Sequence, residues 1–438
     1  MKGLLFTFGL CYGGAIVSLF RPYYGLLIYI CFAIIKPEAL WHWSVPQGNY
    51  SRIIAIALIV GWGIHGFGGF QFGKSKWIIA ALSAYFLWGV LSATVSPNPG
   101  LGFQYVEGQF KIVLPVIIGA TLIKNRRQLM QLAWTITISM GYLAYDLNQA
   151  YFQGNNILQR QGFAGMDNNS FAIGLVAVVG LAFFLGLGSK KLPAKLLAFA
   201  IAALITHAVI FSFSRGAMLS LCVVGIVTFW YIPKRPAYLM LFVVGLTTAY
   251  SMAGNEVMER FASAFVDEGE RDEAASNRVV LWTACLGMIQ DSPLVGVGPD
   301  RFTKEVFNYA GNNEGSEAHT LWLTIGAELG IPGLLFLLSF YLGTCALLTI
   351  HLWTHGKTKD QDPFDRLVPQ MVITSLAGFM VAAQFVSLEG LEVPFYVTLL
   401  GAGALKVYAI GNSSGRRPRR RIIMVPTSTP QPPEPLHV

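Results

Sequence analysis

The chain has 438 residues, of which 54% are hydrophobic and only 12% are charged. Soluble domains usually carry about 25% charged residues, so this composition excludes an ordinary soluble protein and indicates a protein surrounded by lipid. The net charge of +8 does not indicate nucleic-acid binding, because the basic residues concentrate in short connectors and in the tail, as membrane orientation requires. Membrane lipid is therefore an expected partner, and nucleic acid is not.

Apolar segments of nearly bilayer-spanning length recur along the whole chain. They lie at residues 4–20, 24–35, 53–70, 77–96, 110–123, 128–150, 169–188, 195–213, 217–232, 237–252, 319–353, 370–388 and 392–410. The second segment is short and is counted as a broken pair with the first, so we predict about 12 spans. Gly330, Pro332 and Gly333 favour an interfacial turn before the true span of 319–353. The apolar start lacks a small-residue cleavage pattern, so we predict no cleavable signal peptide.

These segments predict an all-α, polytopic integral membrane protein with four parts. They are an N-terminal transmembrane block (1–251), an extracytoplasmic loop (252–318), C-terminal transmembrane helices (319–411) and a basic, Pro-rich, disordered cytoplasmic tail (412–438). Lysines and arginines fall in the tail and in short connectors that alternation puts on one side of the membrane, the cytoplasm. Those connectors lie around residues 124–127, 190–195, 234–235 and 357–366.

The connector 252–318 holds twelve acidic and five basic residues, which suits the opposite, outer side of the membrane. Within it, helical spacing separates the apolar residues Val279, Trp282, Leu286 and Ile289. This pattern predicts an amphipathic helix on the membrane surface or above a cavity. We expect Ser276 or Asn277 to cap the helix, Arg278 to lie in its first turn, and Pro293 to follow its end.

Arg215 lies in FSFSRGAML, between two apolar spans and with no carboxylate near it in sequence. An arginine in such a place needs an anionic partner or water, so its guanidinium is a candidate for binding phosphate oxygens. Snorkelling to the outer interface, or pairing with Glu389 or Glu392, is the alternative.

His319 ends the long polar connector and begins an apolar segment at the outer face. A neutral imidazole there can accept a proton from a hydroxyl nucleophile, whereas the alternative is an interfacial histidine that only begins a helix. Arg278 and Arg160 lie on the same side. Each is either a solvated or ion-paired surface residue or, together with Arg215, part of a set of cations that neutralises a pyrophosphate.

No metal or cofactor is expected from the sequence. The acidic run DEGERDE at residues 267–273 has the ligand type that Mg²⁺ and Ca²⁺ prefer, but its polar, Ala- and Ser-flanked context favours a solvated loop. Gly296 and Gly298 lack the Lys-Ser/Thr that follows the glycines of a phosphate-binding loop. The five cysteines have no CxxC spacing and are interpreted as small hydrophobic residues.

Three pieces in this order resemble the O-antigen ligase family, which also contains lipid-linked polysaccharide polymerases and bacterial O-oligosaccharyltransferases. They are SRGA at 214–217, NRVVLW…MIQDSPLVGVGPDRF at 277–302 and HTLWL…ELGIPG at 319–333. The start, RPYYGLLIYICFAIIKPEALW, is similar to the branch of O-glycosylation ligases found near exosortase systems.

The resemblance implies a GT-C-like, metal-independent glycosyltransferase of the bacterial inner membrane. It implies an undecaprenyl-pyrophosphate-linked glycan as donor and an active site that faces the periplasm. By position, His319 matches the family's proposed base, Arg215 and Arg278 match its essential arginines, and Arg160 matches through the RQG…NNSFA context. Thr320 follows the histidine where many members have Asn, which leaves an acceptor contact at that position unassigned.

The acceptor stays open at this point. The lipid A core of lipopolysaccharide, a protein Ser or Thr, and a growing polysaccharide all present a hydroxyl to the same base, so ligase and polymerase remain alternatives. A transporter or flippase for a lipid-linked saccharide is the alternative from another class, although the repeated halves with matched broken helices that are typical of transporters are not visible in the sequence.

Overall fold

The computed structural model describes residues 2–232, 234–236, 238–240, 243–244, 247, 273–311, 315–355, 362–387 and 390–415. Throughout these ranges the secondary structure is helical, and the β feature they contain is an isolated antiparallel bridge between Phe163 and Met166. The all-α prediction is confirmed for this part of the chain.

Fifteen helices of the described residues are numbered here in chain order. They are α1 (Lys2–Phe20), α2 (Pro22–Leu40), α3 (Tyr50–Ile64), α4 (Lys76–Val95), α5 (Pro99–Leu122), α6 (Arg126–Phe152), α7 (Ile157–Gln161), α8 (Asn168–Gly188), α9 (Leu192–Phe211), α10 (Arg215–Tyr231), α11 (Glu273–Asp291), α12 (Phe302–Ala310), α13 (Leu321–His355), α14 (Phe364–Ala382) and α15 (Glu392–Gly415).

Nine of the described helices are long and apolar enough to cross a membrane: α1, α2, α4, α5, α8, α9, α13, α14 and α15. The chain is therefore a multi-pass membrane protein. Two shorter apolar helices, α3 and α10, accompany them, and α6 is 27 residues long. The expected number of about 12 spans stays a prediction, because the segment predicted at 237–252 lies mostly outside the described residues.

The first two apolar segments form separate helices, so their interpretation as a broken pair is wrong. Each of α1 and α2 spans 19 residues. The chain reverses at Arg21, whose backbone leaves the helical region with φ −142° and ψ 72°. The two helices then run antiparallel in close contact, since a Cβ on Gly25 would lie 2.2 Å from the Ser18 hydroxyl oxygen.

One side of the bundle gathers several of the basic connectors. Arg126 pairs with Asp362 and, at 2.8 Å, with Asp365. A backbone hydrogen bond from Phe364, assisted by the charges of Arg126 and Lys190, lowers the pKa of Asp362. These contacts define what we call the basic face, which is formed by residues 123–127, 189–195 and 362–366.

α13 is broken where the sequence predicts a turn. Gly330 has φ 69° and ψ −179°, so the helix stops there and restarts. The loop after α11 binds to the backbone exposed by this break: Val297 N donates to Ala327 O at 2.9 Å, and Ile331 N donates to Pro293 O at 2.8 Å. The loop and the helix approach so closely that a Cβ on Gly330 would lie 2.1 Å from Leu294 O.

α11 forms as predicted and ends at Asp291. Its described part already includes Glu273, so Ser276 and Asn277 lie inside the helix and their prediction as caps is wrong. On the predicted apolar face, Val279 and Leu286 are about half exposed, so its place on a membrane surface stays a prediction. α11 instead packs through a second stripe against α12, and this small core is separate from that of the main bundle. It contains Leu281, Ala284, Cys285, Met288, Phe302, Val306, Ala318 and Ala327.

Candidate active site

His319 lies just before α13 and has a strained backbone. Its φ of 51° falls in the left-handed region, which costs a residue with a Cβ about 1–2 kcal/mol. The side chain is half-buried and lines a cavity of about 1180 Å³. The histidine is thus held at a cavity wall in a conformation that an ordinary helix start would not require.

Three neighbouring charges act on the imidazole. Burial lowers the pKa of His319 and the positive charge of Arg278 lowers it further, while Glu317 and Asp167 act in the opposite direction. The imidazole is therefore neutral at neutral pH, which is the protonation state that a general base needs. Because Arg278 belongs to α11 and Asp167 precedes α8, the segment that contains α11 and the main bundle meet at this histidine.

Arg278 is half-buried in the first part of α11. Burial lowers the pKa of its guanidinium, and the positive charge of Arg215 lowers it further. Within the ranges that the structure describes, no ion pair involves Arg278. Two guanidinium groups are therefore close enough to repel each other, an arrangement that a bound anion would stabilise.

Arg215 is the first residue of α10, directly after a tight turn. Phe213 in that turn has a left-handed backbone with φ 57°, and the Ser214 hydroxyl caps the helix by accepting from Ala217 N at 3.4 Å. The helix dipole adds to the positive potential at this end. The proposed partner Glu392 is engaged elsewhere, with Lys36 at 3.6 Å, and Glu389 lies outside the described residues.

Two asparagines hold this turn in place: Asn156, which lies before α7, and Asn168, the first residue of α8. Asn156 Nδ2 donates to Phe211 O at 2.8 Å, and Asn168 Nδ2 donates to Ser212 O at 2.7 Å. They satisfy carbonyls that the end of α9 leaves without intrahelical partners. These two asparagines therefore position Arg215 from outside its own helix.

Arg160 is exposed near the C-terminal end of α7. Its helix follows Asn156 and so lies on the same side as the Arg215 turn. The residues that line the cavity do not include it, and its assignment to the site stays a prediction. Of the four predicted residues, the structure brings together His319, Arg278 and Arg215.

Strained residues concentrate around the cavity. Six described residues other than glycine have positive φ: Lys36, Phe67, Ala164, Phe213, Asp300 and His319. Four of these line the cavity, and Phe213 lies two residues before Arg215. Each such conformation costs about 1–3 kcal/mol and persists where the surroundings enforce it, so the structure around the cavity holds these four backbones in place.

Sequence reasoning missed several residues of this site, among them Glu328. Its side chain is 4% exposed and accepts from Asp300 N at 2.8 Å and Phe302 N at 2.7 Å. Asp300 and Phe302 line the cavity, so these two hydrogen bonds attach that part of the cavity wall to α13 next to its break. A carboxylate inside an apolar segment is the signal that could have revealed it.

Asp167 and Lys36 were also missed. Asp167 caps α8 and faces His319, and its place in the polar run DNNS before an apolar segment was the available signal. Lys36 has a left-handed backbone between α2's two helical stretches, a feature that sequence does not reveal for a lysine.

No group of three or more His, Cys, Asp or Glu side chains that could hold a metal ion occurs among the described residues. The acidic run at 267–273 lies outside them, apart from the backbone of Glu273. All five cysteines are free thiols. Cys11 and Cys285 are buried in the two cores, as expected for small hydrophobic residues.

Residues 200–338 match the family described as O-antigen ligase. This match, which covers about a third of the chain, supports an O-antigen ligase family assignment. The matched segment begins inside α9 and ends inside α13, so it contains Arg215, Arg278 and His319 but not Arg160 or Asp167. The comparison with curated proteins gave no match. Members of this family are glycosyltransferase-like ligases and polymerases, so the match supports an enzyme role in general.

Proposed function

We propose that this O-antigen ligase family member transfers a glycan from undecaprenyl pyrophosphate to an acceptor hydroxyl at the periplasmic face of the bacterial inner membrane. The observation that carries the proposal is a neutral histidine at a cavity wall beside two mutually repelling arginines. A base and an anion site side by side are what glycosyl transfer from a pyrophosphate requires.

His319 is the proposed general base. Its imidazole nitrogen takes the proton of the acceptor hydroxyl as the oxygen attacks the anomeric carbon of the lipid-linked sugar. The bond from that carbon to the pyrophosphate oxygen breaks, its electron pair leaves with the pyrophosphate, and the anomeric centre inverts. General base catalysis of this kind contributes about 10²–10⁴-fold to a rate.

Arg215 and Arg278 are the proposed residues that bind the pyrophosphate. Their planar guanidinium groups donate bidentate hydrogen bonds to phosphate oxygens, and a bound diphosphate relieves the repulsion between them. In this role they supply the charge neutralisation that a divalent metal supplies in other enzymes. Arg160, on the same side of the protein, is proposed as a further contact to the donor.

Ligase and polymerase differ only in the acceptor, and the proposed chemistry serves both. A growing polysaccharide in place of another hydroxyl acceptor would make this chain a polymerase. A transporter for the same lipid-linked glycan would need the arginines but not the neutral histidine, so the base favours an enzyme.

The test uses purified, reconstituted protein with an undecaprenyl-pyrophosphate-linked glycan and a panel of acceptors. We expect release of undecaprenyl pyrophosphate together with a glycosylated acceptor. His319→Ala should lower the transfer rate at least about 100-fold while the protein still purifies as a folded monodisperse species. His42→Ala, at an exposed histidine, is the matched control and should keep full activity. Full activity of His319→Ala, or movement of the donor without cleavage, would contradict the proposal.

A further inference from the structure

Charges of opposite sign flank His319. The positive charge of Arg278 acts on His319, and the positive charge of Arg215 acts on Arg278. Neither arginine lines the cavity. Ionisable residues of the cavity wall are mainly acidic: six carboxylates stand against two lysines and His319 itself. The carboxylates are Glu38, Asp167, Asp300, Glu317, Glu328 and Glu392, and the lysines are Lys36 and Lys111.

Three of these carboxylates have hydrogen-bond or ion-pair partners within the protein. Glu328 accepts from two backbone amides, Glu392 pairs with Lys36, and Asp167 accepts from Ser170 N at 2.8 Å.

The other three are Glu38, Asp300 and Glu317. Their carboxylate groups make no hydrogen bond or ion pair with the parts of the chain that the structure describes, although the backbone N of Asp300 donates to Glu328. Since Glu38 and Glu317 lie far apart in the sequence, the acidic groups of the cavity wall are not confined to one loop.

The remaining wall suits a sugar. The cavity of about 1180 Å³ exceeds the roughly 300–1,000 Å³ of common small-molecule sites, so it has room for several sugar units. Tyr29, Phe32 and Phe302 contribute aromatic surfaces, and Gln47, Gln104 and Thr324 contribute amide and hydroxyl groups. Such groups pack against sugar rings and exchange hydrogen bonds with sugar hydroxyls.

Resting on the proposed function, we infer that this cavity binds the acceptor and that the acceptor is a saccharide whose bound part is uncharged or carries amino groups. Carboxylates accept hydrogen bonds from hydroxyls and ammonium groups, but they repel phosphate. The donor pyrophosphate then occupies the arginine side of His319 and the acceptor hydroxyl approaches from the acidic side. A saccharide that presents phosphate groups to the cavity would be selected against.

The experiment measures binding of three probes of equal length to the detergent-solubilised full chain by calorimetric titration. They are cellotriose, the glucosamine trimer and cellotriose 6-phosphate. We expect the glucosamine trimer to bind most tightly and the 6-phosphate at least tenfold more weakly than cellotriose. In the double variant Glu38→Gln/Asp300→Asn, the preference for the glucosamine trimer over cellotriose should fall at least threefold. Asp291→Asn removes the same charge at an exposed position outside the cavity and should keep the wild-type preference.

The inference is overturned if the 6-phosphate binds as tightly as cellotriose, if the double variant keeps the wild-type preference, or if none of the probes binds. Glycosyl transfer is scored separately, by release of undecaprenyl pyrophosphate in the wild type and His319→Ala. A chain that releases undecaprenyl pyrophosphate but shows no discrimination against phosphate refutes the acceptor inference alone. A chain with the expected binding order but no release refutes the proposed function alone.

Discussion

The groups around His319 set the pKa of its imidazole. Burial and Arg278 lower the pKa of His319 against the opposing effects of Glu317 and Asp167, so the group loses its proton at a pH below the ordinary histidine value of about 6.5. Only the neutral form can accept a proton from the acceptor. Activity should therefore persist to a pH below that value and be lost as the pH falls through the lowered pKa.

Two substitutions around His319 should shift the midpoint of this low-pH loss of activity in opposite directions. Arg278→Gln removes a positive charge that lowers the pKa of His319, so the midpoint should shift to higher pH. Glu317→Gln removes a negative charge that raises it, so the midpoint should shift to lower pH. The measurement is the pH dependence of kcat/KM, read as a midpoint so that an overall loss of rate in Arg278→Gln does not matter. Midpoints that coincide with the wild type would contradict His319 as the base.

At the scale of elements, the turn that begins α10 depends on an asparagine from another segment. Asn168→Ala removes the donor to Ser212 O and should loosen the orientation of Arg215. We expect kcat to fall roughly tenfold, since small misplacements of a catalytic group are costly, with little change in the acceptor KM or in the melting temperature. Asn155→Ala, at an exposed asparagine of the same connector, should behave as the wild type. An equal loss in both variants would contradict the positioning role.

The break in α13 makes a second prediction at this scale. Gly330→Ala would put a Cβ 2.1 Å from Leu294 O at a residue with φ 69°, so the loop after α11 must separate from α13. We expect a loss of at least about 2 kcal/mol in stability and a loss of hydrogen-exchange protection at Val297 and Ile331. Gly343→Ala lies on the same helix with nothing within 4 Å of the added Cβ and should change neither quantity.

The elements show where sequence patterns suffice and where they do not. Uniformly apolar helices such as α8 were predicted nearly to the residue. α5 begins at Pro99 and not near residue 110, because Gln104, Gly108 and Gln109 line the cavity and hydropathy cannot distinguish a cavity wall from a loop. The family motifs predict His319, Arg215 and Arg278 as site residues, and the structure places them near one another. Glu328 and Asn168 act through contacts distant in sequence that no local pattern encodes.

For the whole molecule, the direction of each helix follows from contacts at its two ends. α2 starts at the basic face, where Tyr23 donates to Gln128 O, and ends at the cavity, where Lys36 pairs with Glu392. α15 starts at that same ion pair and reaches the basic face, where Tyr408 donates to Asp365 O at 3.5 Å. The C-terminal end of α15 therefore lies on the side opposite the cavity.

The N-terminal end of α1 lies on the cavity side. α1 is antiparallel to α2, and a Cβ on Gly3 would meet the Trp41 side chain at 2.6 Å, just beyond the cavity end of α2. With the two ends of the described chain on opposite sides, the number of crossings between them must be odd.

Cysteine labelling in intact cells checks this topology. In a background with the five native cysteines replaced by alanine, a membrane-impermeant maleimide should label Lys2→Cys and Asn155→Cys, which are exposed on the cavity side. It should label Lys191→Cys, on the basic face, only after the membrane is permeabilised. The reason is that basic connectors stay in the cytoplasm, so the opposite side must face outward. Labelling of Lys2→Cys that follows the pattern of Lys191→Cys would put both ends of the chain on one side and contradict the helix directions derived from these contacts.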